Sequence, residues 1–411
     1  MRNDKLFTFC NLYIFLWLIY SLQSFVFGKV GTIYSTMIIF SLIGISAYHF
    51  VYALSNYKMP KYMKGLTVLV IMFTIYGAIL ILSGKTIRFM NSRAIIKNYN
   101  YIKTIYISLL PVFSFYVLTR KGELTKEVLL KWTPVFFMAA IVRFVQFQRT
   151  SFLIMAVGEE EEITNNIGYL FVSLIPLLVF WKDKRTIQYV GLAISMIFII
   201  LGMKRGAILT GAFSVVFFLY QSMKTASGKQ KIKVILFSVV IVIISVYFLS
   251  HMLQNSAYFN KRLEDTLNGN SSGRDGLYGI FWRHFIHESN PLFFLFGNGA
   301  FATLTISSNV AHNDWLELAI NQGLLGILVY IYYWTLFYKT WRKSTFDKDV
   351  YMAVGLILLI FFMKTLFSFS YTDMTVYDSL CLGYCMGMIS EHDQQSMLET
   401  TSSYFRTTQN K

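Results

Sequence analysis

Residues 234–251 read VILFSVVIVIISVYFLSH, eighteen positions without a Lys, Arg, Asp or Glu. As a helix rising ~1.5 Å per residue this stretch spans about 27 Å, close to the ~30 Å hydrocarbon core of a bilayer. A water-exposed helix needs a polar face, and this one has none. Basic residues Lys229, Lys231 and Lys233 precede it, and a long hydrophilic segment, 251–323, follows it. Working outward, the same pattern recurs along the chain. Apolar runs bounded by charge occupy 7–27, 32–53, 65–83, 104–118, 129–148, 166–181, 187–203, 206–223, 234–251, 324–340, 350–369 and 374–390.

Composition agrees with this reading. Of 411 residues, 55% are hydrophobic and 14% charged, whereas soluble domains carry about 25% charged residues. Twelve spans of about 20 residues would occupy about 58% of such a chain. Two or three soluble domains, the division that length alone suggests, are thereby excluded. The expected fold is an all-α polytopic membrane protein with about twelve transmembrane helices. It divides into helices within 1–251, a large loop at 252–323, further helices within 324–390, and a tail at 391–411.

The net charge of +16 fits basic cytoplasmic loops better than nucleic-acid binding, because no dense basic helix or nucleic-acid motif accompanies it. With both termini cytoplasmic, 22 of the 37 Lys and Arg residues fall on the inner side. The acidic run at 159–162 and the long segment 251–323 then fall outside. Residues 7–27 follow Arg2 and Lys5 as in a signal peptide, but no small-residue cleavage site succeeds them, so an uncleaved anchor is expected. Cys10, Cys381 and Cys385 lie in apolar segments; the last two, four apart on one helix face, suit neither a disulfide nor zinc. They are expected to be packing residues.

Loops as long as 251–323 are usually functional. Two amphipathic stretches in it, 276–288 and 311–322, are expected to lie on the outer membrane surface. No internal repeat is evident, which argues against a transporter built from two similar halves.

Charges inside spans or on the outer face are expensive and select for function. Arg143 lies about 18 Å along its span from Lys131, with Gln146 and Arg149 continuing a polar stripe. It either lines a hydrated cavity or snorkels to headgroups. Lys204 and Arg205 form a basic pair in a tight outer turn, against the positive-inside bias. An anionic ligand would favour them there, above all a diphosphate held by a planar guanidinium. Arg274 follows Ser272 and Gly273, just before an aromatic stretch containing Tyr278 and Trp282. His312 opens a segment running through Asn313, Asp314, Trp315 and Glu317 to Gly323. Gly323 can end a surface helix there, and Asp314 and Glu317 are placed to bias the protonation of His312.

Ser272, Gly273 and Arg274, then Gly297, Asn298 and Gly299, then His312 and Asn313 with Gly323, together resemble the bacterial O-antigen polymerase and ligase superfamily. Its members carry an arginine after Ser-Gly, a Gly-x-Gly turn, and a histidine separated from a glycine by ten intervening residues, all in a large periplasmic loop. The matched block covers roughly residues 270–330, and the span layout and the basic turn at Lys204 agree. One departure is that no glycine stands at the family's spacing after Arg143 or Arg149.

The resemblance implies a metal-independent glycosyltransferase in a bacterial cytoplasmic membrane, without a cofactor. Its substrate would be a polyprenyl-diphosphate-linked oligosaccharide, and flippase and chain-length regulator proteins would be its partners. His312 would be the base, and Arg205 and Arg274 would stabilise the diphosphate with Lys204 or Arg143 in support. Asn313, Trp282 and Trp315 would contact substrate, unless the aromatic residues form an interfacial belt. A repeat-unit polymerase making O-antigen or capsule-like polysaccharide is the leading expectation. A ligase moving finished glycan to another acceptor is the alternative, and a polysaccharide flippase the third.

Overall fold

The computed structural model describes residues 8–88, 95–156, 165–255, 260, 264, 274–307 and 309–409. Arg2, Lys5, the acidic run at 159–162, and Ser272 and Gly273 lie outside the described residues. The described chain is all-α apart from one small hairpin. Its elements are α1 (Phe9–Ser21), α2 (Gln23–Val26), α3 (Ile33–Asn56), α4 (Lys61–Leu82), β1 (Ile87–Arg88), β2 (Ile95–Ile96), α5 (Tyr99–Leu109), α6 (Pro111–Arg120), α7 (Lys126–Ala156), α8 (Gly168–Leu178), α9 (Arg185–Leu201), α10 (Arg205–Thr225) and α11 (Lys229–Asn255). After the large loop begins come α12 (Arg274–Ile286), α13 (Pro291–Phe296), α14 (Ala302–Ile306), α15 (Asp314–Lys343), α16 (Lys348–Phe367) and α17 (Val376–Gln409). β1 and β2 pair antiparallel, Ile87 opposite Ile96, between α4 and α5.

Among the described residues nine helical segments are long and apolar enough to cross a membrane. Three features separate this number from the twelve runs of the sequence. Helix α1 has 13 residues, too few to span alone. Helices α8 and α9 count as one segment, Gly168–Leu201, yet they fold back on each other. Gln188 Nε2 donates to Leu178 O at 2.9 Å, and Asn165 N donates to Gly202 O at 3.0 Å. The last run, 374–390, forms the first half of α17, which continues as a polar helix, exposed over residues 392–399.

The packing shows which faces a bilayer would meet. Helix α11 buries Val234 and Ile241 while exposing Ile235, Leu236, Val239, Val242, Ile243 and Val246. An apolar helix turned outward is stable in hydrocarbon and not in water. Helices α6 and α17 are the opposite case. A Cβ on Gly383 would stand 2.4 Å from Phe115 Cβ, and one on Gly387 2.4 Å from Thr119 Cγ2. This small-x-x-x-small pair lets two backbones approach where dispersion contacts must hold helices together. Cys10, Cys381 and Cys385 are free and buried.

Candidate functional site

The site is organised by the break in α15. Gly323 has φ 65° and ψ −156°, which separates residues 314–322 from the long helix that follows. The turn at Gly297 and Gly299 fits into this break. Asn298 N donates to Ile320 O at 2.9 Å and Gly299 N to Asn321 O at 3.0 Å, which satisfies the carbonyls freed where the helix stops. A Cβ on Gly297 would lie 2.4 Å from Asn321 O, and one on Gly323 2.5 Å from Gly297 N. The two glycine positions are thus the two sides of a single contact.

The start of α15 is pinned as firmly. Asn313 caps it, its side chain accepting from Trp315 N at 3.0 Å and Leu316 N at 3.1 Å. Asp314 is fully buried and accepts from Ser370 N, Ser370 Oγ and Tyr330 Oη at 3.0, 2.5 and 2.6 Å. Glu317 accepts from Thr303 Oγ1 at 2.7 Å, Ala311 N at 2.9 Å and Asn321 Nδ2 at 2.8 Å. Both neighbours of His312 are therefore fixed. His312 itself takes φ 50°, left-handed for a residue with a side chain. Its carbonyl accepts from Tyr278 Oη at 3.3 Å. Strain of this kind costs about 1–3 kcal/mol and persists where surroundings over-determine it.

His312 lines a cavity of about 460 Å³ together with Arg143, Lys204, Arg274, Lys364 and Asp373. Four cations against one carboxylate give it a positive balance that would attract anions. Each cation comes from a different element: α7, the turn before α10, the start of α12, and the end of α16. Lys364 is 2% exposed; its Nζ donates to Asp373 O at 2.7 Å and lies 5.8 Å from the Tyr169 ring centre. Arg143 Nη1 donates to Ser21 Oγ at 3.1 Å. Burial, then the positive charges of Arg274 and Lys204, hold the His312 imidazole below its ordinary value, while Asp373 pulls the other way. At neutral pH its ring is a neutral base beside a cluster of positive charge.

The arrangement can grip a polyanion and accept a proton next to it. Four sequence candidates, Arg143, Lys204, Arg274 and His312, converge here. Arg205, the first residue of α10, stands beside the lining rather than in it. Asn313 spends its side-chain oxygen on the cap. Trp282 is 54% exposed. Trp315 lines a separate apolar groove of about 430 Å³ between α10, α15 and α16, and its Nε1 donates to Thr365 Oγ1 at 3.3 Å. The expectation that Asp314 and Glu317 bias His312 is corrected: both point into the supporting structure, and the acidic neighbour of His312 is Asp373. Sequence reading missed Lys364 and Asp373. The signal was present, since Lys364 is a charge within an apolar run, the same anomaly that marked Arg143.

Among the described residues no three of His, Cys, Asp and Glu stand together as a metal-binding group. Comparison of the sequence with protein-family models gives no match, and comparison with curated proteins gives none.

Proposed function

We propose that this protein is a membrane glycosyltransferase that polymerises polyprenyl-diphosphate-linked oligosaccharide repeat units into O-antigen or capsule-like surface polysaccharide. The observation that carries the reading is the cavity where Arg143, Lys204, Arg274 and Lys364 surround His312. Displacement at an anomeric carbon has two needs, a stabilised diphosphate leaving group and a base for the acceptor hydroxyl. The four cations meet the first by charge-assisted hydrogen bonds in a partly enclosed cavity. His312 meets the second, being neutral and close by. The acceptor oxygen forms the new bond to the anomeric carbon, its proton passes to the imidazole, and the bond to the diphosphate breaks with its electron pair on the departing oxygen.

The surroundings suit lipid-linked substrates. The apolar groove containing Trp315 and Phe362 adjoins the site through Thr365, and a polyprenyl tail fits its chemistry. A second apolar groove of about 630 Å³ lies between α4 and α15, below Gly297 and Gly299. A polymerase must hold two lipid-linked glycans, donor and acceptor, which favours it over a ligase. In this reading the chain crosses the bacterial cytoplasmic membrane twelve times. Helix α8, extended by the 3-10 turn Val179–Lys184, and α9 are separate crossings, and α1 with α2 and the first half of α17 supply two more. The termini are cytoplasmic and the cavity opens outside, so reporters fused at Ser227 and Ser402 should read inside and one at Ser271 outside.

Purified protein supplied with lipid-linked repeat units alone should build a ladder of longer lipid-linked chains. Transfer of preassembled glycan to a separate acceptor, with no ladder, would replace the polymerase by a ligase. Neither product, in protein that stays folded, would remove the transferase reading.

A further inference from the structure

The end of the bundle away from His312 holds a larger cavity, about 680 Å³, that the transferase reading does not use. Helix α15 connects the two. From Gly323 to Thr340 is 17 residues, or about 26 Å of helix. The cavity is lined by Lys58, Lys61, Lys64, Arg120 and Lys343, with Asp393 as the one carboxylate in the lining. Its volume falls within the range of small-molecule sites, roughly 300–1,000 Å³.

Arg120 is the built part of this cavity. Its Nη2 donates to Gln394 Oε1 at 2.6 Å, and the guanidinium carbon lies 5.2 Å from the Tyr57 ring centre, so the fork is held in one plane. Its Nε and Nη1 are buried and have no hydrogen-bond partner among the described residues. A buried donor left unsatisfied costs about 1–3 kcal/mol, more for a charged group. Both two-pronged edges of the guanidinium include Nη2, so an anion accepting two hydrogen bonds on either edge would satisfy one of these two donors. The start of α4 faces the same space. Pro60 brings no capping side chain there, and Tyr62 N is satisfied by Thr340 Oγ1 at 2.9 Å. Positive helix-end charge therefore adds to the lysines. The tail helix forms the roof through Asp393, Gln394 and Met397, and Lys58 Nζ lies 3.6 Å from Met397 Sδ.

We propose that this cavity is a second anion site, specific for phosphate groups, which Arg120 grips in two-pronged fashion while Lys58, Lys61, Lys64 and Lys343 neutralise the charge. Phosphate is favoured over a lone carboxylate because five cations surround the space and a planar fork matches two phosphate oxygens. The phosphate belongs either to a soluble di- or polyphosphate or to the headgroup of an anionic lipid. Occupancy ties Arg120 and the lysines to the roof, and so orders the tail helix.

The test uses the full chain carrying Arg274→Gln and Lys364→Gln, which removes two of the four cations of the His312 cavity and so weakens diphosphate binding there. In phosphatidylcholine nanodiscs, inorganic diphosphate should bind, and a further Arg120→Gln, Lys61→Gln pair should weaken it at least tenfold with the thermal midpoint retained. Hydrogen exchange on the chain without the second pair of substitutions should slow at residues 56–64 and 391–397 when diphosphate is added. Should the same amides be protected instead by an equimolar phosphatidylcholine and phosphatidylglycerol bilayer, with diphosphate adding nothing, the ligand is a lipid headgroup. Protection by neither, or diphosphate affinity untouched by the double substitution, overturns the proposal.

Discussion

The two ends of the bundle both gather positive charge around a cavity, but they draw it from different places. At one end Lys58, Lys61, Lys64 and Lys343 sit on helix termini and are exposed. Charge there costs little, since water or headgroups solvate it. At the other end Arg143 stands 17 residues into α7, and Lys364 stands 16 residues into the 20 of α16. A charge within a spanning helix costs roughly 2.5–3.5 kcal/mol even on the mildest scales. The lesson is that cations at helix ends need no special ligand to explain them, whereas buried ones such as Lys364 do. Arg120, with two buried donors unsatisfied, is the exception that makes the first end more than a basic rim.

The largest effect should come from the residue that has no counterpart at the opposite end. His312→Ala should lower turnover of bound donor by ~10²–10⁴-fold, the usual contribution of a positioned base. The base must be neutral to act, so activity falls as pH drops through its titration. Because burial, Arg274 and Lys204 hold that titration below 6.5, the acidic limb of the rate profile should lie below 6.5. Removing the Arg274 charge should move the limb upward. A limb above 6.5, or turnover unchanged in the alanine variant, would deny His312 the proton.

Arg274→Ala and Lys364→Ala come next. Each should reduce ladder formation by ~10²–10³-fold, the cost of losing one donor aimed at developing negative charge. Arg274→Lys should recover part of it, because a point charge cannot bind two oxygens at once. Lys231→Gln, at a solvated helix end, serves as the control and should leave the rate within experimental error. If Lys364→Ala matched that control, burial would cease to be a guide to function in this bundle.

How far the sequence revealed these features depended on the range of the interaction. Apolar runs were legible because lipid imposes the same demand on every crossing, as 234–251 shows. The hairpin of α8 and α9 was legible as two runs because Lys182, Lys184 and Arg185 interrupt them. Convergence of Arg143, Lys204, Arg274 and His312 was legible only through the resemblance, since nothing local in four distant segments makes them meet. Asp314 and Glu317 were misread because closeness in sequence was taken for closeness of side chains. On a helix starting at Asp314 both turn away from His312, toward Ser370 and Thr303. The partnership of Gly297 with Gly323 was not legible either, because it is a contact between backbones.

That backbone contact gives a prediction of intermediate size. Gly323→Ala must hold φ 65° and place a Cβ 2.5 Å from Gly297 N. The pair φ 65° and ψ −156° is a region essentially reserved for glycine, costing about 1–3 kcal/mol for an L-residue, and the overlap adds to it. The thermal midpoint should drop, with activity falling as His312 loses its support. Gly84→Ala, also at positive φ (61°) but with nothing within 4 Å of its Cβ, serves as a positive-φ control without the overlap. Equal losses in the two variants would mean that the fit of the glycine turn against α15 contributes nothing.

The smallest effect concerns how the helices at the two ends begin. Helix α15 is capped by its own Asn313, whereas the start of α4 borrows Thr340 from α15. Losing a cap costs about 0.5–2 kcal/mol, so Asn313→Ala and Thr340→Ala should each destabilise by that order in thermal or denaturant unfolding. They should differ in what else changes. Asn313 adjoins His312, so loosening the first turn of α15 should also blur the position of the base and reduce turnover several-fold, with donor affinity kept. Asn313→Asp retains an acceptor for Trp315 N and Leu316 N and should restore both stability and turnover. If Asn313→Asp restored stability but left donor binding weak, Asn313 would be touching the substrate after all, and its cap would be secondary.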